Sequence, residues 1–335
     1  MAEIRAESRS VMSRHIPTDE VVLLDIPTHM NVGDTMIWEG ELQYLRSLRK
    51  KVIYEADQAR FDPQTIEESA ADATVLLHGG GNFGDVWGGF QQFREEVVGK
   101  FPHRRIVQLP QTVKFRDESG LLRANDIFGK HPNFVLMVRD LGSLDTVRRH
   151  MPDVNVVYCP DMALGIENFR DRKRSRAKYR CLVIARTDHE KAADLSLVDA
   201  PSVDWGLTGP AHVQWKLARI PGAMVRRLRS RRIGRAVYPL LRMGYSSMRR
   251  LNLASGVSMV SSADVIVTDR LHVHVLSGLL GREHIVLDNN YGKVKSIFDD
   301  YTHNFATAHF AHDASAVKSI LENIRLEDDG DRNDR

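Results

Sequence analysis

The sequence predicts an α/β protein with two domains. Short apolar runs alternate with longer amphipathic stretches along the 335 residues, a pattern typical of repeated strand and helix units in parallel sheets. That length is about twice the usual size of one domain, so two domains of roughly 150 residues are expected. Several apolar runs are followed by loops rich in Gly, Asp or Arg, the position at which open α/β sheets bind ligands.

The composition is that of a globular protein. Apolar residues make up 42% and charged residues 27%, which excludes disordered, collagen-like and membrane-spanning classes. No apolar run approaches the roughly 18 residues that crossing a bilayer requires, and the start of the chain lacks the apolar stretch of a signal peptide. Cys159 and Cys181 are too few for a disulfide framework or a cysteine zinc site. We therefore expect a cytoplasmic protein.

The first half of the chain contains five predicted strands and three predicted helices. The strands are 21–26, 74–77, 105–109, 134–138 and 154–158. Apolar residues recur at helical spacing over 35–49, 87–100 and 141–150. The second half begins with a strand at 181–185 and continues with strands at 265–268 and 284–287 and a helix over 273–280.

The domain boundaries follow from a charged stretch between the halves. Residues 170–178 are highly charged, follow Pro160 and precede a new strand, so they are the candidate linker. The predicted organisation is an N-terminal Rossmann-like domain over 1–168, a basic linker over 169–180, and a C-terminal Rossmann-like domain over 181–326 that includes a basic segment at 216–250, followed by a polar tail over 327–335.

A glycine-rich segment, His78-Gly-Gly-Gly-Asn-Phe-Gly-Asp85, directly follows a predicted strand and is expected to open the next helix. Backbone N–H groups at such a turn favour an anion, so Gly80, Gly81 and Asn82 are candidates for binding a phosphate or carboxylate. The alternative is a tight turn that needs positive φ angles.

The same segment also matches the dinucleotide fingerprint G-x-G-x-x-G through Gly79, Gly81 and Gly84. That fingerprint expects an acidic residue about twenty positions further on. The chain has Arg104, Arg105 and then Gln108 there, so the dinucleotide hypothesis is rejected.

A second turn, Asn31-Val-Gly-Asp34, follows the first strand and also leads into a helix. Asp34 is placed to cap that helix, and capping alone would explain it. Loops at the carboxyl ends of neighbouring strands nevertheless converge on one crevice, which favours a functional role for Asn31 and Asp34.

The turn Thr268-Asp-Arg-Leu-His272 ends a strand of the second half and starts a helix. Arg270 can bind a phosphate or carboxylate with paired hydrogen bonds, and His272 can move a proton near neutral pH. His274 lies two residues further on and is expected to point elsewhere.

Residues 288–295 add an aromatic side chain and cations after the next strand, among them Tyr291 and Lys293, although a solvated turn would look the same. Arg139 and Arg186 are single cations at strand ends, each of which alone would be read as an ordinary surface charge.

Positive charge is concentrated in the second half. The span between Asp204 and Asp264 contains no acidic residue and eleven Lys and Arg residues. The arginines of 225–235 and 238–248 alternate with apolar residues at spacings compatible with an amphipathic helix, which suggests docking on an anionic membrane at the inner face of the cell. The alternative is a solvated helix face or a mobile loop.

Several catalytic signatures are missing. The chain has no G-x-x-x-x-G-K-[ST] phosphate loop, no G-x-S-x-G nucleophile elbow and no H-E-x-x-H metal helix. Hydrolysis by those routes is therefore disfavoured.

Read in order, the motifs resemble those of the polysaccharide pyruvyl transferase family. They are N-V-G-D at 31–34, H-G-G-G-N-F-G-D at 78–85, L-P-Q-T at 109–112, R-D at 139–140, P-D at 160–161, T-D-R-L-H at 268–272 and D-N-N-Y-G-K at 288–293. The resemblance implies two Rossmann-like domains facing a cleft, similar to two-domain (GT-B type) glycosyltransferases. It implies transfer of the enolpyruvyl moiety of phosphoenolpyruvate onto a sugar to form a pyruvate ketal. It also implies roles in activity for Asp85, Arg139, Arg270 and His272, while the acid-free basic segment departs from the family's pattern.

The residues fit this chemistry. Phosphoenolpyruvate carries a phosphate and a carboxylate, which Arg139, Arg186, Arg270, Lys293 and the glycine segment are expected to bind. Ketal formation needs an acid that protonates the methylene carbon, for which we favour His272, and a base for the sugar hydroxyl, for which Asp85 and Asp34 are candidates, with Asp85 favoured by the resemblance. Acceptor-binding candidates are Asn31, Gln111 and Tyr291. No metal and no cofactor beyond the donor is expected.

Two other functions stay open at this point. A nucleotide-sugar glycosyltransferase would use the same two-domain cleft and basic turns. A non-enzymatic protein would use the basic segment to bind anionic lipid or nucleic acid. Nucleic acid is disfavoured because only Tyr238 and Tyr245 are available there for base stacking. The expected partners are therefore phosphoenolpyruvate, a glycan or lipid-linked oligosaccharide acceptor and an anionic membrane.

Overall fold

The computed structural model describes residues 1–167, 177–186, 195, 198–228, 231–288 and 292–333, with side chains described except at 225–233 and 325–333. Its contacts divide the chain into two compact units. Unit 1 comprises Met1–Glu167 and Leu207–Leu253, and unit 2 comprises Asn168–Gly206 and Ala254–Arg335.

Unit 1 contains a seven-stranded sheet whose pairs are all parallel. Its strands are β1 (Glu20–Leu24), β2 (Lys51–Ala56), β3 (Thr74–Leu77), β4 (Gly80–Phe83), β5 (Ile106–Val113), β6 (Phe134–Val138) and β7 (Val156–Tyr158). They are ordered β2-β1-β3-β5-β6-β7, with β4 paired to β5 beside this path. The loops that follow β1, β3, β5 and β6 therefore emerge at one edge of the sheet.

The helices of the first part of unit 1 are α1 (Ala2–His15), α2 (Val32–Ser47), α3 (Pro63–Ser69), α4 (Gly88–Lys100), α5 (Glu118–Gly129) and α6 (Leu141–His150). Short 3₁₀ turns occupy Gln58–Arg60, Asp85–Trp87 and Met162–Gly165. Three further helices follow, α7 (Gly209–Ala218), α8 (Ile220–Leu228) and α9 (Arg231–Val260), of which α9 belongs to unit 1 up to Leu253.

Unit 2 contains a five-stranded parallel sheet with the order β12-β11-β10-β8-β9. Its strands are β8 (Tyr179–Ile184), β9 (Ser202–Val203), β10 (Ala263–Thr268), β11 (Glu283–Leu287) and β12 (Ala308–Ala311). Its helices are α10 (Leu271–Leu279), α11 (Lys293–Asp300) and α12 (Ala314–Asn333), with a 3₁₀ turn at Thr302–Asn304.

The predicted α/β class with two Rossmann-like domains is confirmed by these two parallel sheets. The central strands are covered on both faces, which explains why they read as unbroken apolar runs. Val22 and Leu24 of β1 pack with Val75 and Leu77 of β3 in one core, while Leu23 is equally buried on the opposite face.

Several elements were not predicted: helices α1, α3, α5, α7, α11 and α12 and strands β2, β4, β9 and β12. Strand β5 extends past the predicted 105–109 to include Leu109-Pro-Gln-Thr112. Its register with β6 shifts between Gln108 and Gln111, and this irregularity accommodates a proline inside a central strand.

The units also differ from the predicted domains. Residues 207–253 pack in unit 1, whereas the sequence placed the basic segment in the second domain. The reason is a set of long-range contacts: the ring of Tyr238 stacks on Tyr54 with centroids 5.3 Å apart, and Glu55 N donates to Tyr238 Oη at 2.6 Å. The predicted linker at 169–180 lies largely outside the described residues, and α12 continues to Asn333 through most of the predicted tail. None of the helices in the described ranges is long and apolar enough to cross a membrane.

Candidate functional site

The glycine-rich segment after β3 forms a strand. Gly80–Phe83 runs parallel to β5, with Gly80 opposite Gln111, and helix α4 begins only at Gly88. The prediction that this segment opens a helix is therefore wrong, because β4 and the turn Asp85–Trp87 intervene.

Two glycines in this segment adopt conformations that side chains rarely allow. Gly80 has φ 140° and Gly84 has φ 131°. A Cβ atom at Gly84 would lie 1.9 Å from the carbonyl oxygen of Lys114, so sterics alone require glycine there. Gly80 is also buried, whereas Gly81 is half-buried. The expected positive φ angles are thus present, at Gly80 and Gly84.

Asn82 and Gln111, predicted to contact donor and acceptor, bind each other. Asn82 N donates to Gln111 Oε1 at 3.0 Å, and Gln111 Nε2 donates to Asn82 Oδ1 at 3.1 Å and to His78 O at 3.1 Å. Arg94 of α4 donates through Nη1 to Asn82 O at 3.0 Å and through Nε to Gln108 Oε1 at 2.8 Å. The two amides therefore fix the glycine-rich segment to β5.

Arg94 is a fully buried cation that the sequence did not single out. Burial lowers its pKa to about 10, with the nearby Asp25 charge opposing the shift. Asp25 Oδ2 lies 3.8 Å from Arg94 Nη2, and burial raises the pKa of Asp25. Arg94 thus stays protonated at neutral pH and places a positive charge beneath the glycine-rich segment.

His78 and Glu41 form a second buried pair that the sequence did not reveal. Glu41 of α2 lies 2.9 Å from His78 Nδ1 through Oε2, and its Oε1 accepts a hydrogen bond from Gly79 N at 2.8 Å. Burial acts to lower the pKa of His78, but the carboxylates of Glu41, Asp34 and Asp25 outweigh it and raise the pKa above its ordinary value. His78 is buried, and its Nε2 has no hydrogen-bond partner among the described residues.

Helix α2 is capped by Asn31. Asn31 Oδ1 accepts hydrogen bonds from Gly33 N at 2.8 Å and Asp34 N at 3.4 Å. The expectation that Asp34 caps this helix is therefore wrong, since Asn31 already satisfies the first-turn N–H groups. The Asp34 carboxylate instead lies 3.5 Å from His29 Nε2 and keeps 32% of its side chain exposed, so it is available to a ligand.

Asp85 stands at the start of the 3₁₀ turn that follows β4. Its Oδ1 accepts a hydrogen bond from Arg116 N at 2.8 Å, which ties the turn to the loop after β5. The residue is half-buried. Asp85 and Asp34, the two predicted bases, thus both belong to unit 1.

Arg139 follows β6 and is buried. Its Nη1 donates to Asp161 Oδ2 at 2.6 Å, and its Nε donates to Thr112 Oγ1 at 2.9 Å. The Arg139 side chain is 3% exposed and the Asp161 side chain 1%. The sequence predicted an exposed cation for the donor, whereas here Arg139 joins the R-D and P-D motifs in an internal ion pair.

In unit 2 the turn between β10 and α10 carries the predicted acid and cation. Arg270 Nη2 forms an ion pair with Asp204, and His272, in the first turn of α10, is half-buried. Asp269 is buried and accepts a hydrogen bond from Arg186 N at 2.9 Å, which brings the loop after β8 beside this turn. Burial raises the pKa of Asp269. Arg186 and Arg270 are thus brought to one edge of the unit 2 sheet.

The remaining predicted residues of unit 2 lie near the start of α11. Lys293 is its first residue and is half-buried. Tyr291 lies outside the described residues. His274, which was expected to point elsewhere, is fully buried in the core of unit 2.

The structure joins the predicted residues in separate sets. Gly80, Asn82 and Gln111 form one cluster in unit 1, and Arg186 and Arg270 form another in unit 2. The structural roles of Arg94, Glu41 and Asp161 were missed because nothing in the sequence separates a buried charged residue from an exposed one on an amphipathic helix or after a strand. The residues that the structure describes include no group of three or more His, Cys, Asp or Glu side chains that could hold a metal ion.

Comparison with known proteins identifies relatives across most of the chain. Residues 31–291 match the polysaccharide pyruvyl transferase family. EpsO of Bacillus subtilis (strain 168), a protein assigned as a pyruvyl transferase, is 28% identical over 309 residues, covering 90% of this chain and 91% of EpsO. Pyruvyl transferase 1 of Schizosaccharomyces pombe (strain 972) is 28% identical over 312 residues, covering 85% of this chain and 70% of that protein.

A solved structure shares the fold. The crystal structure of a functionally uncharacterized protein from Klebsiella pneumoniae subsp. pneumoniae NTUH-K2044 superimposes with a TM-score of 0.58 at 17% identity. The match covers 93% of this chain and 100% of that one. At 17% identity, this structural similarity supports a common fold and says nothing of function.

Proposed function

Because the chain belongs to the polysaccharide pyruvyl transferase family, we propose that it transfers the enolpyruvyl group of phosphoenolpyruvate onto a sugar of an exopolysaccharide or its lipid-linked precursor. The product is a pyruvate ketal, and phosphate is released. The match over residues 31–291 carries this proposal, since that span holds all of the candidate site residues except Lys293. The reaction is placed in the cytoplasm, where phosphoenolpyruvate is available.

The donor's two anionic groups need cations and N–H donors. Arg270 and Arg186 lie at one edge of the unit 2 sheet, and Arg270 keeps 14% of its side chain exposed while paired with Asp204. A donor phosphate or carboxylate would replace Asp204 as the partner of Arg270 with paired, charge-assisted hydrogen bonds. Lys293, at the start of α11, supplies a further cation.

The proposed chemistry needs one acid and one base. His272 delivers a proton to the methylene carbon of the donor, which makes C2 electrophilic. A sugar hydroxyl then adds to C2, phosphate leaves, and a second hydroxyl of the same sugar adds to C2 to close the ketal and returns its proton to His272. Asp85 or Asp34 accepts the proton of the attacking hydroxyl, and both carboxylates remain accessible in unit 1.

Unit 1 contributes a rigid frame for the glycine-rich segment. The buried guanidinium of Arg94 and the amides of Gln108 and Gln111 fix this segment. Because the backbone N–H dipoles of this segment are already fixed, binding an anion costs little free energy of reorganisation. Asn31 and Gln111, the acceptor-binding candidates described in unit 1, already bond to the backbone, so in this proposal they shape the acceptor site through the loops that they hold.

The reaction needs no metal in this proposal. Phosphate is a competent leaving group once C2 carries positive charge, and cationic side chains neutralise the negative charge of the phosphate. Activity is therefore expected to survive EDTA, and loss of activity that added divalent metal restores would contradict this part of the proposal.

The test is a donor assay. The protein is incubated with phosphoenolpyruvate and candidate glycans, with mass spectrometry for the added pyruvyl group and a parallel measurement of released phosphate. Equal amounts of pyruvyl product and phosphate are expected. Release of nucleotide from a nucleotide-sugar, with no product from phosphoenolpyruvate, would instead show a glycosyltransferase.

A further inference from the structure

Helices α7 and α8 and the first half of α9 present apolar side chains to solvent. Six large apolar residues are about half exposed or more: Val213 (58%), Leu217 (58%), Ile220 (48%), Met224 (53%), Leu240 (48%) and Met243 (66%). Isolated exposed apolar residues are ordinary on protein surfaces. A series of them over three consecutive helices indicates a surface that binds a protein or a membrane. We call these residues the apolar patch.

The apolar patch lies on the faces of these helices that do not pack on unit 1. In α7, Trp215 is buried at 2% exposure, while Val213 and Leu217, four residues apart, are exposed. In α8, Arg60 Nε donates to Gly222 O at 3.0 Å, so the side near Gly222 packs on the body of the unit. Ile220 and Met224, again four residues apart, share the other face.

Helix α9 shows the same division. Its inward face carries Tyr238, Leu241, Tyr245, Met248 and Asn252, spaced by three and four residues. Tyr238 stacks on Tyr54, the ring of Tyr245 meets Trp38 edge-on at 6.3 Å, and Asn252 Nδ2 donates to Thr35 Oγ1 at 2.9 Å. Leu240 and Met243 belong to the outer face.

Cations accompany the apolar patch, and acidic residues do not. No Asp or Glu occurs between Asp204 and Asp264. Arg235, Arg242 and Arg249 are paired with Glu68, Glu55 and Glu39 of the body of unit 1.

Three exposed cations of this region, Lys216, Arg219 and Arg250, form no ion pair among the described residues. Arg219 lies over the ring of Trp215 at 5.1 Å from its centroid, and Arg250 Nε donates to Ser246 O at 3.2 Å, so both charges remain without an acidic partner there. Four further arginines of α8 and α9, at 226, 227, 231 and 232, add charge to these helices, although their side chains lie outside the described set.

Arg250 also lines a groove between α7 and α9. The groove has a volume of about 440 Å³ and is lined by Gln214, Leu217 and Ala218 from α7 and Ser247, Arg250 and Leu251 from α9. A lipid phosphate at Arg250 would therefore have the leucine side chains beside it for the start of an acyl chain.

We propose that α7, α8 and the first half of α9 dock unit 1 on a bilayer surface that contains anionic lipid. Apolar side chains interspersed with cations on surface helices match the interface of such a bilayer, where the former enter the acyl boundary and the latter meet phosphates. Nucleic acid fits less well, because the aromatic rings that would stack on bases, those of Trp215, Tyr238 and Tyr245, are packed inward. Docking is a property of unit 1 and does not depend on the reaction proposed above.

The test is sedimentation of the full-length protein with liposomes. Vesicles of phosphatidylcholine alone are compared with vesicles that contain about one third phosphatidylglycerol, at low and at high salt. Binding is expected only to the anionic vesicles, and it should weaken at least tenfold at high salt because the cations act through screened charge. Absence of binding to anionic vesicles at low salt would overturn the proposal.

Two variants separate the apolar and the cationic contributions. Each variant should lower vesicle binding at least tenfold. The apolar variant combines Leu217→Ser, Ile220→Ser and Met224→Ser. The cationic variant combines Lys216→Gln, Arg219→Gln and Arg250→Gln. The matched apolar control is Leu122→Ser with Leu141→Ser, which changes side chains that are 59% and 52% exposed elsewhere in unit 1. The matched charge control is Lys100→Gln with Lys130→Gln and Arg148→Gln, all exposed.

The outcomes are distinguishable from failure of the proposed function. The changed side chains are exposed, so melting temperatures and turnover on a soluble acceptor should stay as in the unmodified protein. Equal losses of binding in the control variants would show a non-specific charge effect and overturn the proposal. Salt-sensitive binding to single-stranded oligonucleotides with none to vesicles would assign the surface to nucleic acid instead.

Discussion

His274 Nδ1 lies 2.8 Å from His284 Nε2 in the interior of unit 2. The chain of contacts continues on both sides, since His284 Nδ1 is 2.8 Å from Arg282 O and His274 Nε2 is 2.7 Å from Thr302 Oγ1. Both rings are fully buried. One imidazole must offer a lone pair to the other, so only one proton fits between the two rings and both rings cannot be imidazolium at once.

We predict that this pair makes unit 2 sensitive to acid. Burial lowers the pKa of His284 from 6.5 to about 4, and burial together with the His284 charge lowers the pKa of His274 well below its ordinary value. The unfolded state binds more protons, so the stabilisation is present above pH 6.5 and is lost as pH falls toward 4. For His284 it amounts to roughly 3 kcal/mol.

Urea unfolding between pH 7.5 and 4.5, followed by a probe in unit 2, measures this effect. His284→Gln should lower stability at pH 7.5 and flatten the slope between pH 6.5 and 4.5. The control is His312→Gln, because His312 of unit 2 is exposed. An unchanged slope in His284→Gln would show that other groups govern the acid response.

The second prediction concerns Glu41 and His78. In Glu41→Gln the carboxylate that holds the pKa of His78 up is removed, so burial should dominate and the pKa should fall below 6.5. The raised pKa stabilises the fold below pH 6.5, and this contribution is lost as pH rises through the folded-state value. NMR titration of the His78 ring checks the direction, with exposed Glu96→Gln as the control. A His78 pKa that is the same in both variants would contradict the assignment.

The third prediction concerns the glycine-rich segment. Gly84→Ala should destabilise the protein by at least about 2 kcal/mol, because a φ of 131° is combined with the close approach of Lys114 O. Gly80→Val should raise the KM for the donor or stop catalysis, since its φ of 140° disfavours a side chain. Gly89→Ala is the control, because a Cβ there meets nothing within 4 Å. Thermal melting measures the change in stability, and donor kinetics measure the change in KM and kcat. Wild-type KM and kcat in Gly80→Val would show that this segment has only a structural role.

The elements that sequence predicted well share one physical cause. Strands such as Thr74–Leu77 and Phe134–Val138 are buried on both faces, so their apolar runs are unbroken and their ends coincide with the prediction. The same burial fixes where the loops emerge, so the sequence could place Asp34, Asp85 and Arg270 after the carboxyl ends of strands, while their roles stay predictions. β4 was missed because its Gly-Gly-Asn-Phe sequence has no strand propensity and forms only by pairing with β5.

Pairing between distant residues is what the sequence did not predict. Arg139 looks like a surface cation until Asp161 is placed 2.6 Å from its guanidinium. The basic segment was expected in the second domain because it follows β8 in the chain, yet the Tyr54–Tyr238 stack attaches it to unit 1. Contacts between residues that are distant along the chain leave no local pattern, so composition and periodicity cannot detect them.

The fourth prediction concerns Arg270. Arg270→Lys should lower kcat/KM for phosphoenolpyruvate by about tenfold to a hundredfold, because an ammonium group cannot form the paired hydrogen bonds of a guanidinium. The fold should be kept, since Arg270 packs no core and its ion pair with Asp204 is partly exposed. The control is Arg282→Lys, at the other end of α10. Unchanged donor kinetics in Arg270→Lys would mean that Arg270 only supports the turn.

The last prediction concerns His272. It stands in the first turn of α10, after the carboxyl end of β10, and is half-buried, so it adds little to the core and His272→Ala should fold normally. If His272 protonates the methylene carbon, its loss should lower kcat by about 10²-fold to 10⁴-fold, with a smaller change in the KM for the donor. Purely structural support of the turn would instead lower stability and change KM and kcat together. His312→Ala, which removes an exposed imidazole of unit 2, is the matched control and should turn over normally. Steady-state kinetics with phosphate release as the readout separates these outcomes, and near-normal turnover in His272→Ala would transfer the acid role to another group.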